Sequence, residues 1–112
     1  MMPLELTKAE KKTAREIIER GLRREMEANL QELHTLLSRW KENGSDVKET
    51  YHKVFGKVTD FDKHIARRYD GLSGSQYLLC ILGQYRDGVI TAEDLTGLLP
   101  ETTAVIKRWK NG

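Results

Sequence analysis

The chain has 112 residues, a length that holds one domain more comfortably than two. Charged residues make up 32% and hydrophobic residues 38%, a soluble globular composition, and no apolar run reaches the roughly 18 residues that a membrane-spanning helix needs. The net charge of +2 is too small to indicate a nucleic-acid partner by itself. Because Met1 leads into a charged segment without the apolar stretch of a signal peptide, we expect a cytoplasmic protein with no membrane partner.

The first predicted helix is unusually long. Thr7 and Glu10 form a capping box, in which the threonine hydroxyl and the glutamate each accept an N–H of the first turn. No proline interrupts the pattern until Asn43 and Gly44, which provide the glycine stop typical of a helix end. Apolar residues three or four apart mark one side of this helix: Ile18, Leu22, Met26, Leu30, Leu33, Leu37 and Trp40. Gly21 weakens the helix by about 1 kcal/mol relative to alanine.

A second helix is predicted from Asp46, which caps it together with Glu49, to Asp70-Gly71. Its apolar stripe has the same heptad spacing: Val47, Tyr51, Val54, Val58, Phe61 and Ile65. Two matching stripes joined by a short turn indicate an antiparallel helical hairpin, in which the stripes line two facing seams and the chain doubles back at Gly44. We therefore expect a single domain, 1–112, with the hairpin over residues 1–71.

The two predicted helices differ in length. At 1.5 Å per residue the first spans about 54 Å and the second about 37 Å. The excess leaves apolar side chains near the start of the first helix that need cover: Leu6, Ala14, Ile17 and Ile18. Either the C-terminal helices fold back over them or a second copy of the chain supplies a surface, and between these we favour a homodimer through the long helices.

Residues 72–112 are predicted to form two or three short helices. Ser73 with Gln76 opens one, Thr91 caps a second, and Thr102 caps a third after the interruption at Pro100. No strand pair is indicated, because Gly88-Val89-Ile90 is too short for more than a connector. The expected fold class is therefore all-α.

The residues that support catalysis or metal binding are sparse. Three histidines lie too far apart to share a helical face, and the lone Cys80 sits in an apolar run where a thiol is a small hydrophobe. Asp87 to Asp94 resembles the second half of a calcium loop, but Gly83 and Tyr85 would occupy its first and third positions. No phosphate loop or nucleophile motif is present. We expect a non-enzymatic protein with no catalytic residues, no metal site and no small-molecule cofactor.

The segment from Ile90 to Trp109 resembles a helix-turn-helix. Apolar residues occupy the four positions that would pin its two helices at a steep angle: Leu95, Leu99, Ile106 and Trp109. The outer face of the second helix would then meet the major groove of duplex DNA. Candidate DNA-binding residues are those whose hydroxyls or cations can contact bases and phosphates: Thr102, Thr103, Lys107, Arg108 and Lys110.

With the helix of Leu72 to Leu82 included, residues 50–110 are similar in layout to the MarR-type winged-helix regulators. That resemblance implies a DNA-binding dimer held together by long helices. Thr96, Pro100 and Glu101 depart from the usual turn, and no wing follows Trp109, so the expectation is a wingless helix-turn-helix protein. The alternative is a helical protein-interaction or assembly module, in which the same apolar residues close the end of a bundle and the lysines and arginine are a solvated tail.

Overall fold

The computed structural model describes residues 5–111, and this part of the chain is all-α, as the sequence predicts. Its helices are α1 (Lys8–Asn43), α2 (Val47–Tyr69), α3 (Tyr77–Arg86) and α4 (Pro100–Asn111). Single turns of 3-10 helix at Gly74–Gln76 and Ala92–Leu95 precede α3 and α4, and residues 5–111 contain no strand. None of the helices in this range has the length and apolarity needed to cross a bilayer.

The predicted helix ends are confirmed where they depend on local hydrogen bonds. Glu10 N–H donates to Thr7 Oγ1 and Thr7 N–H donates to Glu10 Oε1, both at 3.1 Å. Asp46 accepts from Glu49 N–H at 2.9 Å and so caps α2. Gly44, at the turn between α1 and α2, has φ +66°, a conformation that glycine adopts without steric cost.

The chain divides into two compact units that differ from the predicted boundary after residue 71. The hairpin arm comprises Glu25–Asp70. The terminal unit comprises the residues up to Arg24 together with those from Gly71 onward. The first turns of α1 therefore belong with the C-terminal segment and not with the hairpin.

The core lies in the terminal unit. Its buried apolar side chains come from both ends of the sequence: Leu6, Ala14, Ile17, Ile18, Cys80, Ile81, Ile90, Leu95, Leu98 and Ile106. Each large side chain among them contributes about 1.5–3 kcal/mol on burial. The C-terminal segment thus covers the apolar start of α1. This is the arrangement in which the C-terminal helices fold back over α1, the first of the two that the unequal helix lengths allow.

The hairpin arm is antiparallel, but its seam is not the predicted one. Lys57 pairs with Glu32 at 3.6 Å, and Arg68 pairs with Glu25 at 2.9 Å, so later residues of α2 meet earlier residues of α1. In the described residues 25–70 the one buried side chain is Thr50.

Several residues of the predicted stripes are exposed, among them Leu30, Leu37 and Tyr51. Val54 and Phe61 are half-buried, so the seam combines ion pairs with partly covered apolar side chains. The expectation that the two complete apolar stripes face each other is therefore wrong.

Candidate functional site

An apolar face covers one side of the hairpin arm. Because the two helices run in opposite directions, the residue that follows a seam residue lies on the same side of the hairpin in both helices. In α1 the residues after Glu25, Asn29, Glu32 and Leu36 are Met26, Leu30, Leu33 and Leu37. In α2 the residues after Thr50, Val54, Lys57 and His64 are Tyr51, Phe55, Val58 and Ile65. These eight side chains form what we call the apolar face.

Much of the apolar face is open to solvent. Leu30 is 64% exposed, Tyr51 70% and Phe55 63%. Met26, Leu37 and Val58 are also exposed, whereas Leu33 and Ile65 are half-buried. Isolated apolar side chains are common on surfaces, but a contiguous set on one face of a helix pair marks a site of interaction.

A polar cluster lies within the arm around Glu25. Its carboxylate accepts from Tyr69 Oη at 2.5 Å and from Arg68 at 2.9 Å, and it lies 2.8 Å from His64 Nε2. Because one carboxylate of α1 contacts three polar groups of α2, it fixes the register in which the two helices pair. We assign the cluster a structural role in pairing the two helices.

The structure separates the residues predicted to contact DNA. Thr102 is 1% exposed, so its side chain cannot reach a nucleic acid, and its predicted place on the outer face of α4 is wrong. It is turned inward because it lies in the first turn of α4 beside Glu10. Thr103 is half-buried, and Lys107, Arg108 and Lys110 are exposed. Lys110 Nζ lies 4.8 Å from the centre of the Tyr85 ring, within the range of a cation–π contact.

The predicted first helix of the helix-turn-helix is reduced to the single turn Ala92–Leu95. Of the four apolar residues expected to pin the motif, Leu95 and Ile106 are buried, whereas Leu99 and Trp109 are exposed. α4 also begins at Pro100 and not at a Thr102 cap. The exposed cations on α4 are therefore presented without the preceding helix that usually supports a recognition helix.

Polar ties that the sequence did not indicate hold α1 to the C-terminal segment within the terminal unit. Gln84 is fully buried and donates from Nε2 to the Ile18 carbonyl at 3.1 Å. A Cβ atom on Gly21 would lie only 2.1 Å from that nitrogen, so glycine makes room for the glutamine. Gly21 is therefore a packing requirement, which explains a residue that helix propensity alone marks as a weakness.

Asp94 makes the second polar contact between α1 and the C-terminal segment. Arg24 donates to both of its carboxylate oxygens, at 2.7 and 3.0 Å, and also to the Val89 carbonyl at 3.2 Å. The hydrogen bonds from Arg24, together with those from Thr91, outweigh burial and hold the Asp94 pKa well below its usual range. The residue that the calcium-loop resemblance put at position twelve is thus a partner of arginine, and residues 5–111 hold no cluster of metal-ligating side chains.

Glu10 makes the third polar contact between α1 and the C-terminal segment, in addition to its role in the capping box. It accepts from Leu99 N–H at 2.8 Å, just before α4 begins. Burial acts to raise the Glu10 pKa, but the hydrogen bonds with Leu99 and Thr7 outweigh it, and the Glu10 pKa is lowered. The sequence identified Glu10 only through the capping box, because its second contact joins residues 89 positions apart.

Comparison of the chain with protein-family models and with curated proteins finds no match in either.

Proposed function

We propose that this chain is a helical assembly module that self-associates through the apolar face of its hairpin arm. The observation that supports the proposal is the exposure of Leu30, Tyr51 and Phe55 on one face of a helix pair that is held together in part by ion pairs. Exposed apolar area is stabilised when it is removed from water, at about 25 cal/mol per Å². Within the arm the apolar seam residues Leu36, Val54 and Phe61 are only half-buried, so the seam supplies little of that stabilisation.

The size of the apolar face is suitable for an interface. The part of α1 within the arm, Glu25–Asn43, is about 28 Å long, and two helices packed about 10 Å apart present a width near 20 Å. This projected area, roughly 550 Å², corresponds to a larger accessible area, since side chains protrude from it. Stable interfaces bury about 800 Å² per partner, so a matching hairpin is an occupant of the right dimensions.

A second copy also satisfies the symmetry rule for small assemblies. Most soluble oligomers are homodimers in which the same patch of each subunit meets its counterpart. Two hairpins stacked face to face form a four-helix bundle, an arrangement that buries one apolar side of each helix.

The test is the mass of the intact chain in solution across a wide concentration range, measured by light scattering or sedimentation. The expected result is a dimer that dissociates on dilution. Leu30→Glu and Phe55→Glu should each shift the equilibrium to monomer by placing a charge in the interface, and both side chains are exposed enough for the monomer to tolerate them.

Thr35→Glu is the matched control. Thr35 is exposed and precedes the seam residue Leu36, which puts it on the side of the arm opposite the apolar face. This variant carries the same added charge and should remain dimeric. A chain that stays monomeric at every concentration would contradict the proposal.

DNA binding is the second candidate, favoured by one observation. Lys107 and Arg108 are exposed next to each other on α4, with Lys110 one residue beyond Trp109, and a dimer would present this basic group twice. Phosphate contacts of this kind give affinity that falls steeply with salt. Candidate contacts are now Thr103, Lys107, Arg108 and Lys110, without Thr102.

A gel shift with random-sequence duplex DNA at about 50 mM salt tests this second candidate. Retarded duplex that is released as salt increases, and a weaker shift for Lys107→Ala combined with Arg108→Ala, would support it. Absence of a shift by the dimer at that low salt would reject it and would leave the assembly role untouched.

A further inference from the structure

Four charged residues lie on or beside the apolar face. Glu27 and Lys41 lie on the side of α1 away from the seam, and Lys48 lies at the outer edge of the face on α2. Asp62 follows the half-buried Phe61 and so lies within the row of face residues on α2. All four are exposed. A shallow groove lined by Glu27, Leu30, Gln31 and His34 runs along the same side of α1.

Their heights along the arm are matched. The pairs Glu32–Lys57 and Glu25–His64 show that residues equally far in sequence from the turn lie at equal heights. At 1.5 Å per residue, Glu27 and Asp62 are both about 26 Å from the turn, and Lys41 and Lys48 are both about 5 Å from it. Glu27 and Asp62 therefore lie near the end of the arm away from the turn, and Lys41 and Lys48 lie near the turn.

We infer that two copies of this chain pack their apolar faces together in antiparallel orientation, with the turns at opposite ends of the four-helix bundle. This inference rests on the proposed self-association and adds its orientation. Glu27 of one copy then faces Lys41 of the other, and Lys48 faces Asp62. Residue 34 is midway between positions 27 and 41, and residue 55 is midway between 48 and 62, so one twofold axis at the height of His34 and Phe55 accommodates both pairs.

The parallel orientation has the opposite electrostatics. In the parallel dimer the twofold axis runs along the length of the arm. Both turns then lie at the same end of the bundle, and α1 of one copy packs against α2 of the other. Glu27 would then face Asp62 and Lys41 would face Lys48, so that every pair has like charges. Like charges across an interface reduce affinity and exclude the wrong arrangement, as the charged flanks of coiled coils do.

Glu27→Lys distinguishes the two orientations, because it should raise the dissociation constant of an antiparallel dimer and lower that of a parallel dimer. In the antiparallel dimer Glu27→Lys places two lysines opposite each other at both ends of the interface. We expect the dissociation constant to rise roughly fivefold to tenfold at low salt, since two exposed ion pairs are each replaced by a repulsion. In a parallel dimer the same variant would face Asp62 and bind more tightly.

Two controls accompany this measurement. Glu27→Lys combined with Lys41→Glu restores opposite charges in the antiparallel dimer and should return the dissociation constant to near the starting value. Thr35→Lys, on the other side of α1, introduces the same cation away from the face and should leave the dissociation constant unchanged.

A spin-label distance gives a second, independent readout. Ser45 lies in the turn and is exposed, so Ser45→Cys accepts a label there, whereas Cys80 is buried. The antiparallel dimer places the two labels about 32 Å apart, at 1.5 Å per residue on each side of the twofold axis. The parallel dimer brings them within about 20 Å.

The outcomes separate the two proposals. A weaker dimer for Glu27→Lys together with a long distance between labels supports the antiparallel orientation. An unchanged or tighter dimer, or a short distance, overturns the orientation while self-association stands. A chain with no dimer to label overturns the proposed function itself.

Discussion

Single side chains in the terminal unit carry contacts between segments that are far apart in sequence. Gly21, Gln84, Asp94 and Glu10 each form or permit a tie between α1 and the C-terminal segment. The sequence named three of these residues for other reasons, as a weak point, a loop position and a cap. Their second partners were not predictable, since nothing local specifies a contact across 60 or more residues.

Gly21→Ala should destabilise the protein although alanine is the better helix former. The added methyl group displaces the buried amide of Gln84, and the lost hydrogen bond and forced repacking cost about 2–3 kcal/mol against a propensity gain near 1 kcal/mol. In a Gln84→Ala background the same substitution should become neutral or stabilising. Urea unfolding of the four chains of this double-mutant cycle measures the coupling, and additive effects would contradict the interlocked packing.

Asp94 predicts how stability depends on pH. Its pKa is depressed in the folded state relative to the ordinary 3.8, so its contribution is present above the unfolded pKa and is lost as the pH falls through the folded pKa. We expect the contribution to be complete above about pH 5 and to decline below about pH 4. Asp94→Asn should cost about 1–2 kcal/mol at pH 7, a value moderated by the exposure of Arg24. The free energy of unfolding of the Asp94→Asn variant should fall less steeply between pH 5 and pH 3 than that of the unaltered chain.

At the scale of helices, the ends were predictable and the packing of the arm was not. Thr7, Asp46 and Gly44 specify their turns through hydrogen bonds or backbone angles within four residues, and each is placed as the sequence indicates. The heptad stripe of α1 correctly groups Leu30 and Leu37 on one side. It does not say what covers that side, because a seam within the chain and an interface with another chain have the same periodicity.

The first helix of the predicted helix-turn-helix is shorter in the structure than the sequence pattern indicates. Thr91 does open a capped turn, and its N–H donates to Asp94 Oδ2 at 2.8 Å. The turn then ends at Leu95, since Thr96 takes the extended ψ of 132°, and Gly97 follows with φ +104° against Thr13 of α1. The apolar spacing of Leu95, Leu98 and Leu99 therefore does not continue as a helix, and the chain lies against α1 at this point.

Glu10 couples the beginnings of two helices, and its substitution tests that coupling. Glu10→Ala removes the acceptors of Thr7 N–H and Leu99 N–H, and we expect a loss of about 2–3 kcal/mol in the free energy of unfolding. Glu16→Ala, an exposed change on the same helix, is the control and should cost less than about 0.5 kcal/mol. Equal effects of the two variants in chemical unfolding would show that the Leu99 contact adds no stability.

At the scale of the whole molecule, the two units should differ in how their stability depends on concentration. The terminal unit has a buried apolar core, whereas the described residues of the arm bury Thr50 alone. In amide hydrogen exchange we expect Ile81, Ile90 and Ile106 to be well protected at every concentration. Arm amides such as those of Val54 and Phe61 should gain protection as concentration rises, because association stabilises the folded arm.

Phe55→Glu provides the comparison for that experiment. It should abolish the concentration dependence of arm protection and leave the terminal unit unchanged. Arm amides that are as protected as the core in dilute protein, or protection that ignores concentration in the unaltered chain, would argue against self-association as the source of arm stability.

The ion pairs between α1 and α2 have an evolutionary consequence. Glu25 with Arg68 and Glu32 with Lys57 define how α1 pairs with α2, and a slip of one heptad would separate both pairs. The residues that set the pairing of the two helices are thus charged and lie in the seam, whereas the apolar face lies on a different side of the arm. Substitutions in the apolar face leave these ion pairs in place, so the proposed interface can change while the pairing of α1 with α2 persists.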